Sequence, residues 1–530
     1  MTGRYPPGHG ARHNGMRLDT SRPTIADTLA RAGFNTAAFV GAFPLDHRFG
    51  LDKGFRVYGD HMPRSPQGRL ASERPGRQVV DEAISWLNAN RGSRFFLWVH
   101  LFEPHAPYGD PSDQRPVQVR YDDEVSEADR QTGRVIDALG PMSASTLIVV
   151  ASDHGEAFGE HGEISHSIFV YDTTLRVPLV IAGPEIPART IDASVGLVDV
   201  PPTLLALLGI GGFDADGLDL SPALDGRPLR ARDLYAESFA PLLDFGWSPL
   251  RSIRSEGFKY IEAPKPELYL VESDAAENEN VVQREPQRAA SLSERVQRIS
   301  PASLTSTPTA DPEAAARLQS LGYVSGRSTG GSRSDPKDRR ELAARIAQVT
   351  SGELQGAALE RTLEEILTED PRNSQAHLRL GYVQLESNRC AGAVQHFRAA
   401  IAEHMPTADA HLGLASCQAT AHKFDDAMTT LKDAERIEPQ NPIVVANRGV
   451  VLSDAGRPAD AIPFLQRALA LDADFHQARF NLALAYARSG QRADAAREAS
   501  ELLRRLPAGA PQRPEVERLL AAVSPPSSAK

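Results

Sequence analysis

The stretch Val149–Pro184, VVASDHGEAFGEHGEISHSIFVYDTTLRVPLVIAGP, decides how the first part of this 530-residue chain is read. It opens on an apolar run that ends in Asp153-His154-Gly155, and closes on Arg176-Val177-Pro178 leading into a second apolar run. A carboxylate and an imidazole at the end of a strand, followed by glycine, can point together at one cation, because oxygen suits hard metals and nitrogen suits borderline ones. Taken alone the triplet also fits a structural reading, with Asp153 capping the next helix and His154 filling a pocket.

Working outward, TLIVVAS (146–152) and PLVIAG (178–183) read as strands, as do TAAFVGA (36–42) and FFLWVHLF (95–102), the last too continuously apolar to face water. Between them TIADTLARA (24–32), VVDEAISWLNAN (79–90), a polar segment at 122–139 and VDVPPTLLALLGI (198–210) read as helices. Strand–helix alternation with apolar strands predicts an α/β fold, a doubly wound and mostly parallel sheet covered on both faces. Chemistry in such sheets sits at the carboxyl ends of the strands. Residues 230–280 change character, and LYAES, SIRSEGFKYIEA and ELYLVESD read as strands of a small α+β subdomain. Residues 299–339 have the Ser/Pro/Gly-rich composition of a linker, interrupted by one amphipathic helix at 312–324.

The last third repeats with a period of 34. Small residues recur at Gly381, Ala415, Gly449 and Ala483, and alanine at Ala393, Ala427, Ala461 and Ala495. Four positions later stand Phe397, Leu431, Leu465 and Ala499, and three further on Ala400, Ala434, Ala468 and Leu502, with Pro439 and Pro507 closing two units. A weaker unit with Leu363, Ile366 and Pro371 in register precedes them. Small residues let two helices of a hairpin approach, bulky ones fill the space between hairpins, and proline breaks the chain. This is the tetratricopeptide pattern, an all-α solenoid over 340–510 with a tail at 511–530.

A net charge of −11 argues against general affinity for nucleic acid, and no apolar run is long enough to span a membrane. The two cysteines, Cys390 and Cys417, both fall in repeat sequence and make no disulfide framework. The first fifteen residues hold no apolar core of a signal peptide, and localisation stays unassigned.

Across residues 2 to about 325 the sequence resembles the sulfatase family of the alkaline-phosphatase superfamily. The resemblance rests on six pieces in order: TGRYPPGHG at the start, TIADTLARAGFNTAAFVGAF, FFLWVHLFEPHAPY with its Pro-His-x-Pro, the stretch quoted first, VDVPPTLLALLGI with DGLDLSPALDG, and IRSEGFKYI with ELYLVESDAAENENVV. It implies a sulfatase-like domain over 1–298, its small subdomain at about 230–298. It implies Asp153 and His154 as metal ligands; many sulfatases carry asparagine where His154 stands. His105 and His166 are implied as catalytic and substrate-binding groups, His166 standing where many sulfatases place a lysine. His9, His13 and His100 are read as structural. The family's first strand and its nucleophile, a Cys or Ser oxidised to formylglycine, would lie upstream of Met1, so formylglycine is expected only in a longer form.

The resemblance implies a sulfuric-ester hydrolase that uses a divalent metal, calcium foremost and magnesium, manganese or zinc otherwise, joined to repeats that bind a protein or peptide. Alternatives are a phosphodiesterase or phosphotransferase on the same fold, and an inactive sulfatase-like scaffold acting through its repeats.

Overall fold

The computed structural model describes residues 1–63, 71–110, 112–300, 334–403, 407–506 and 509–524. The helix expected at 312–324 and Pro507 lie outside these residues. The described chain divides into two compact units, the first ending at Leu354 and the second starting at Gln355.

In the first unit β1 (Asn35–Val40), β2 (Val57–Gly59) and β3 (Phe95–His100) form a parallel sheet in the order β2-β1-β3. Alternation along β1 and β3 sends Ala37, Phe39, Leu97 and Val99 to one face, where they meet Val79, Ala83 and Trp86 of helix Gly76–Ala89. Phe96 points to the other face, against Ile25 and Leu29 of helix Ile25–Arg31 and Leu205 of helix Val200–Leu207. Helices therefore cover both faces of an α/β sheet. Helix Ile25–Arg31 starts at Thr24, whose side chain accepts from the Asp27 amide while the Asp27 carboxylate accepts from the Thr24 amide.

The strand that precedes Asp153, β4 (Ile148–Ala151), pairs antiparallel with β7 (Leu179–Ala182) and not with β3. Between β4 and β7 run two short strands, β5 (Ala157–Phe158) and β6 (Ile164–Ser165), which form a hairpin of their own. The single sheet expected from the sequence is thus in two pieces among the described residues. Burial follows the pairing: every residue of β3 is half-buried, against the expectation for 95–102, and Val150 and Val180 remain 36% and 55% exposed. A strand with one neighbour hides less of its surface than one flanked on both sides.

The subdomain is a four-stranded antiparallel sheet of β8 (Leu234–Ser238), β9 (Leu250–Ser255), β10 (Phe258–Glu262) and β11 (Glu267–Leu270). Helix Pro286–Ile299 closes it, placing Ala289, Leu292 and Val296 against Tyr235, Ile253, Tyr260 and Leu268. A turn at Pro336–Arg339 then leads into helix Arg340–Thr350, which packs on β6 and the Glu160–Gly162 turn. The division by contact therefore falls after this helix rather than before it.

In the second unit the 34-residue repeat becomes four helix pairs: Ser374–Glu386 with Cys390–Ala402, Asp409–Thr420 with Phe424–Ile437, Pro442–Asp454 with Pro458–Leu471, and His476–Arg488 with Arg492–Arg505. Helix Gly356–Glu369 precedes them and Arg513–Val523 follows. The small positions sit where the two helices of a pair touch: a Cβ on Gly381 would meet the Phe397 ring at 2.7 Å, and one on Gly449 would meet Leu465 at 2.7 Å. The sequence reading of the cysteines needs correction, because Cys390 and Cys417 are joined as a disulfide between neighbouring repeats. Periodicity could not show it, since the two positions are not equivalent in the repeat. Among the described residues no helix is long and apolar enough to cross a membrane.

Candidate functional site

The carboxyl end of β3 runs into Glu103-Pro104-His105-Ala106-Pro107. Glu124, on helix Val117–Leu139, holds this loop by accepting from the amides of His105 at 3.1 Å and Gly109 at 2.6 Å. The His105 ring stacks on Phe102, centroids 4.1 Å apart, and its Nδ1 lies 2.7 Å from the Ala106 carbonyl oxygen. A carbonyl only accepts, so Nδ1 carries the proton and Nε2 keeps a lone pair.

The carboxyl end of β4 delivers Asp153 and His154. Gly155 follows because the chain passes close to its neighbour: a Cβ there would meet the Thr173 carbonyl oxygen at 2.5 Å. His154 Nδ1 lies 3.0 Å from the Gly155 carbonyl oxygen, which again puts the proton on Nδ1. Its Nε2 is 3.8 Å from Asp153 Oδ2. An oxygen and a nitrogen lone pair at this separation fit one edge of a divalent ion's shell, and the backbone bond on the far ring nitrogen is the usual way a ligating histidine is oriented.

The turn between β5 and β6 carries the chain back, and His166 follows β6. Its ring lies over His154 with centroids 3.9 Å apart, and meets His105 edge-on at 5.6 Å. Its Nδ1 is 3.2 Å from Oε1 and 3.3 Å from Oε2 of Glu156, a carboxylate only 4% exposed. The fold thus brings His105, His154, His166 and Asp153 from three separate loops into one cluster. Asp153 is its most open member, with 73% of its side chain accessible.

Burial, and then the nearby His166, push His105 down to about 4, so its ring is neutral near pH 7. Crowding by the surrounding loops opposes ionisation of Asp153 even though its side chain is open at the surface, and the pull of the His154 and His100 rings outweighs it, leaving the carboxyl below its ordinary value. Glu156 is likewise below its ordinary value: burial works against it, and the hydrogen bond and charge of His166 prevail, helped by the Tyr108 hydroxyl.

Of the histidines read as structural, His13 faces Asp244 at 3.2 Å and His9 accepts from the Ala11 amide. His100 ends β3 and is close enough to Asp153 to feel its charge. The sequence reading missed Glu156 and Tyr108. Glu156 stands one residue past the Asp-His-Gly triplet, and only the β5–β6 turn reveals that it faces His166. Among the described residues a three-membered donor group, Asp46, His47 and Asp60, lies elsewhere, but Asp46 is already held by Arg48 at 2.9 Å.

Residues 1–210 match the sulfatase family model, and residues 357–406, 378–442 and 452–523 match tetratricopeptide repeat models. An uncharacterized sulfatase of Escherichia coli (strain K12) is 36% identical over 124 residues, 23% of this chain and 24% of that protein. The choline-sulfatase of Rhizobium meliloti (strain 1021) is 27% identical over 373 residues, 53% of this chain and 72% of that protein. The crystal structure of a phosphonate monoester hydrolase of Agrobacterium radiobacter aligns with TM-score 0.45 at 20% identity, over 56% of this chain and 84% of that one. The chain spans about a quarter of the length of the Escherichia coli relative. The chain is an α/β domain followed by helical repeats. The first is a sulfatase-family domain and the second a tetratricopeptide array.

Proposed function

We propose that the protein hydrolyses a sulfate ester at the cluster of His105, His154, His166 and Asp153. The observation that carries this reading is the convergence of the three rings, with centroids 3.9 Å and 5.6 Å from that of His166. Asp153 and His154 would hold a divalent ion, which neutralises the non-bridging oxygens of the ester when bound. Two donors are too few for a complete shell, so they account for one side of it.

Hydrolysis breaks the ester S–O bond as a water oxygen becomes bonded to sulfur, and the two remaining histidines take separate parts around that step. His105, held neutral, offers an Nε2 lone pair to a substrate hydrogen-bond donor. His166, with a carboxylate on its Nδ1, is the group suited to carry a proton to the departing oxygen, because an imidazolium there has its charge answered by Glu156. The repeats would bring a protein or peptide partner to this domain.

The test is turnover of an aryl sulfate and the matching aryl phosphate by the protein with and without added calcium, magnesium, manganese or zinc. Sulfate release that falls about 100-fold or more in His166→Ala, and that chelation abolishes, is the expected result. A preference for the phosphate ester, or sulfate release unchanged in Asp153→Ala/His166→Ala, overturns the reading.

A further inference from the structure

Two imidazoles tie the first helix pair of the repeat unit together. His377, on helix Ser374–Glu386, and His396, on helix Cys390–Ala402, are half-buried and meet through their Nδ1 atoms at 3.0 Å. The rings meet end-on, since their centroids stand 5.3 Å apart, close to the widest spacing that such a contact allows. His377 Nε2 lies 3.1 Å from the Pro371 carbonyl oxygen. A carbonyl only accepts, so Nε2 carries the proton and His377 Nδ1 presents its lone pair. His396 Nδ1 must then be the donor, and a single proton lies between the two helices.

Three repeats further on, the equivalent positions are Arg479 and Glu498. Arg479 Nη1 donates to Glu498 Oε2 at 2.8 Å, and its Nη2 donates at 2.9 Å to the carbonyl of Ala473, the counterpart of Pro371. The same tie is made there by an ion pair that keeps both charges down to about pH 5. In the third repeat Val445 and Phe464 occupy these places within one apolar cluster, and in the second His411 and Thr430 do. The first couple alone sets two titratable rings against each other.

We infer that the His377–His396 couple is a proton-operated joint, closed while one proton lies between the facing nitrogens and opened when both rings are charged. The next proton taken up goes to His396 Nε2 and leaves the tie in place. One more must go to His377 Nδ1, where it removes the acceptor and turns two N–H bonds and two positive rings towards each other. Burial, and then His377, hold His396 below its ordinary 6.5, with Glu360 opposing them. Glu360, on helix Gly356–Glu369, is itself answered by Arg389 at 2.7 Å. Helix Asp409–Thr420 packs against both helices of the pair and brings His411 and Asp409. A folded value below the unfolded one makes the contribution of the closed joint whole above pH 6.5 and lost as pH falls. The first repeat therefore loosens on acidification, while the Arg479–Glu498 tie keeps its charges.

The experiment uses the full chain with a chelator present. Ring-nitrogen NMR with 15N-histidine, the signals assigned by their loss in His377→Gln and His396→Gln, is expected to find His377 protonated at Nε2 and His396 at Nδ1 at neutral pH. The reverse assignment overturns the inference. Hydrogen exchange read by mass spectrometry, corrected for the intrinsic effect of pH, then follows helices Ser374–Glu386 and Cys390–Ala402. Their opening is expected to rise about tenfold to thirtyfold from about pH 7.5 to about pH 5, the ratio set by one proton that the open form binds and the closed form refuses. His377→Arg/His396→Glu writes the couple of the last repeat into the first, and is expected to remove most of that rise. His411→Gln leaves the couple intact and is expected to keep it. Where the double exchange does not fold, His396→Gln takes its place, because an amide can turn either its nitrogen or its oxygen to His377. Helices equally protected at both pH values, a rise that persists in these couple variants, or a rise lost in His411→Gln overturns the inference.

Discussion

Glu163, just before β6, is 4% exposed, and its Oε1 accepts from the amides of Ile168 at 3.0 Å and Phe169 at 3.1 Å. Burial pushes its carboxyl up to about 7 in spite of those bonds. A folded value above the unfolded 4.5 stabilises below pH 4.5, and that contribution drains away as pH rises through 7, by roughly 3 kcal/mol at most. Glu163→Gln keeps the acceptor and removes the titration, so its first unit should gain about 1–3 kcal/mol over the wild type at pH 8 and nothing at pH 4. Urea unfolding at the two pH values checks this, and equal differences at both would refute it. His105 has the opposite sign. Its folded value of about 4 lies below the unfolded 6.5, so its contribution is whole above pH 6.5 and is lost as pH falls towards 4. A titration of the His105 ring by NMR should find its midpoint near 4 and not near 6.5. Neither value could be read from sequence, because each depends on what surrounds the group. The Asp-His-Gly triplet marked Asp153 and His154, and the resemblance to the sulfatase family implied His105 and His166, which share a cluster with them; both were silent on Glu156, whose partner is ten positions away.

The repeat helices were the most legible elements, since their period of 34 places a small residue at each crossing, and the crossing is what tightens first when that residue grows. Gly449→Ala would drive a methyl into Leu465, for which about 1–3 kcal/mol of destabilisation is expected. Phe397→Ala, at a fully buried position, should cost about 3–5 kcal/mol. Thermal unfolding followed by circular dichroism reads both, and a Gly449→Ala protein as stable as the wild type would contradict the tight crossing. The strands were less legible. An apolar run such as FFLWVH reports the taste of its residues and not how many neighbours the strand has, so β3 was expected to be buried and is only half so. Helix Arg340–Thr350 has the same helical spacing as the repeats beside it, and only its packing on β6 assigns it to the first unit.

At the scale of the molecule, the two units carry different kinds of restraint. The disulfide closes a span of 27 residues within the repeats, and both its cysteines belong to the second unit. Its removal in Cys390→Ala/Cys417→Ala should lower the stability of the repeat unit by about 2–4 kcal/mol and leave the sulfatase-family unit where it was. Calorimetry of the full chain with and without the substitutions tests it, and a shift in both transitions would be the contrary result. The crossings themselves have a longer reach. Gly381 faces Phe397, Ala415 shares a core with Leu431, Gly449 faces Leu465, and Ala483 shares one with Ala499. Four unlike couples thus fill equivalent gaps, the largest ring opposite the smallest partner. What recurs from one repeat to the next is a close approach and not a pair of letters, so enlarging the small member of a couple should be borne best where the residue across from it is small, as at Ala483 and Ala499.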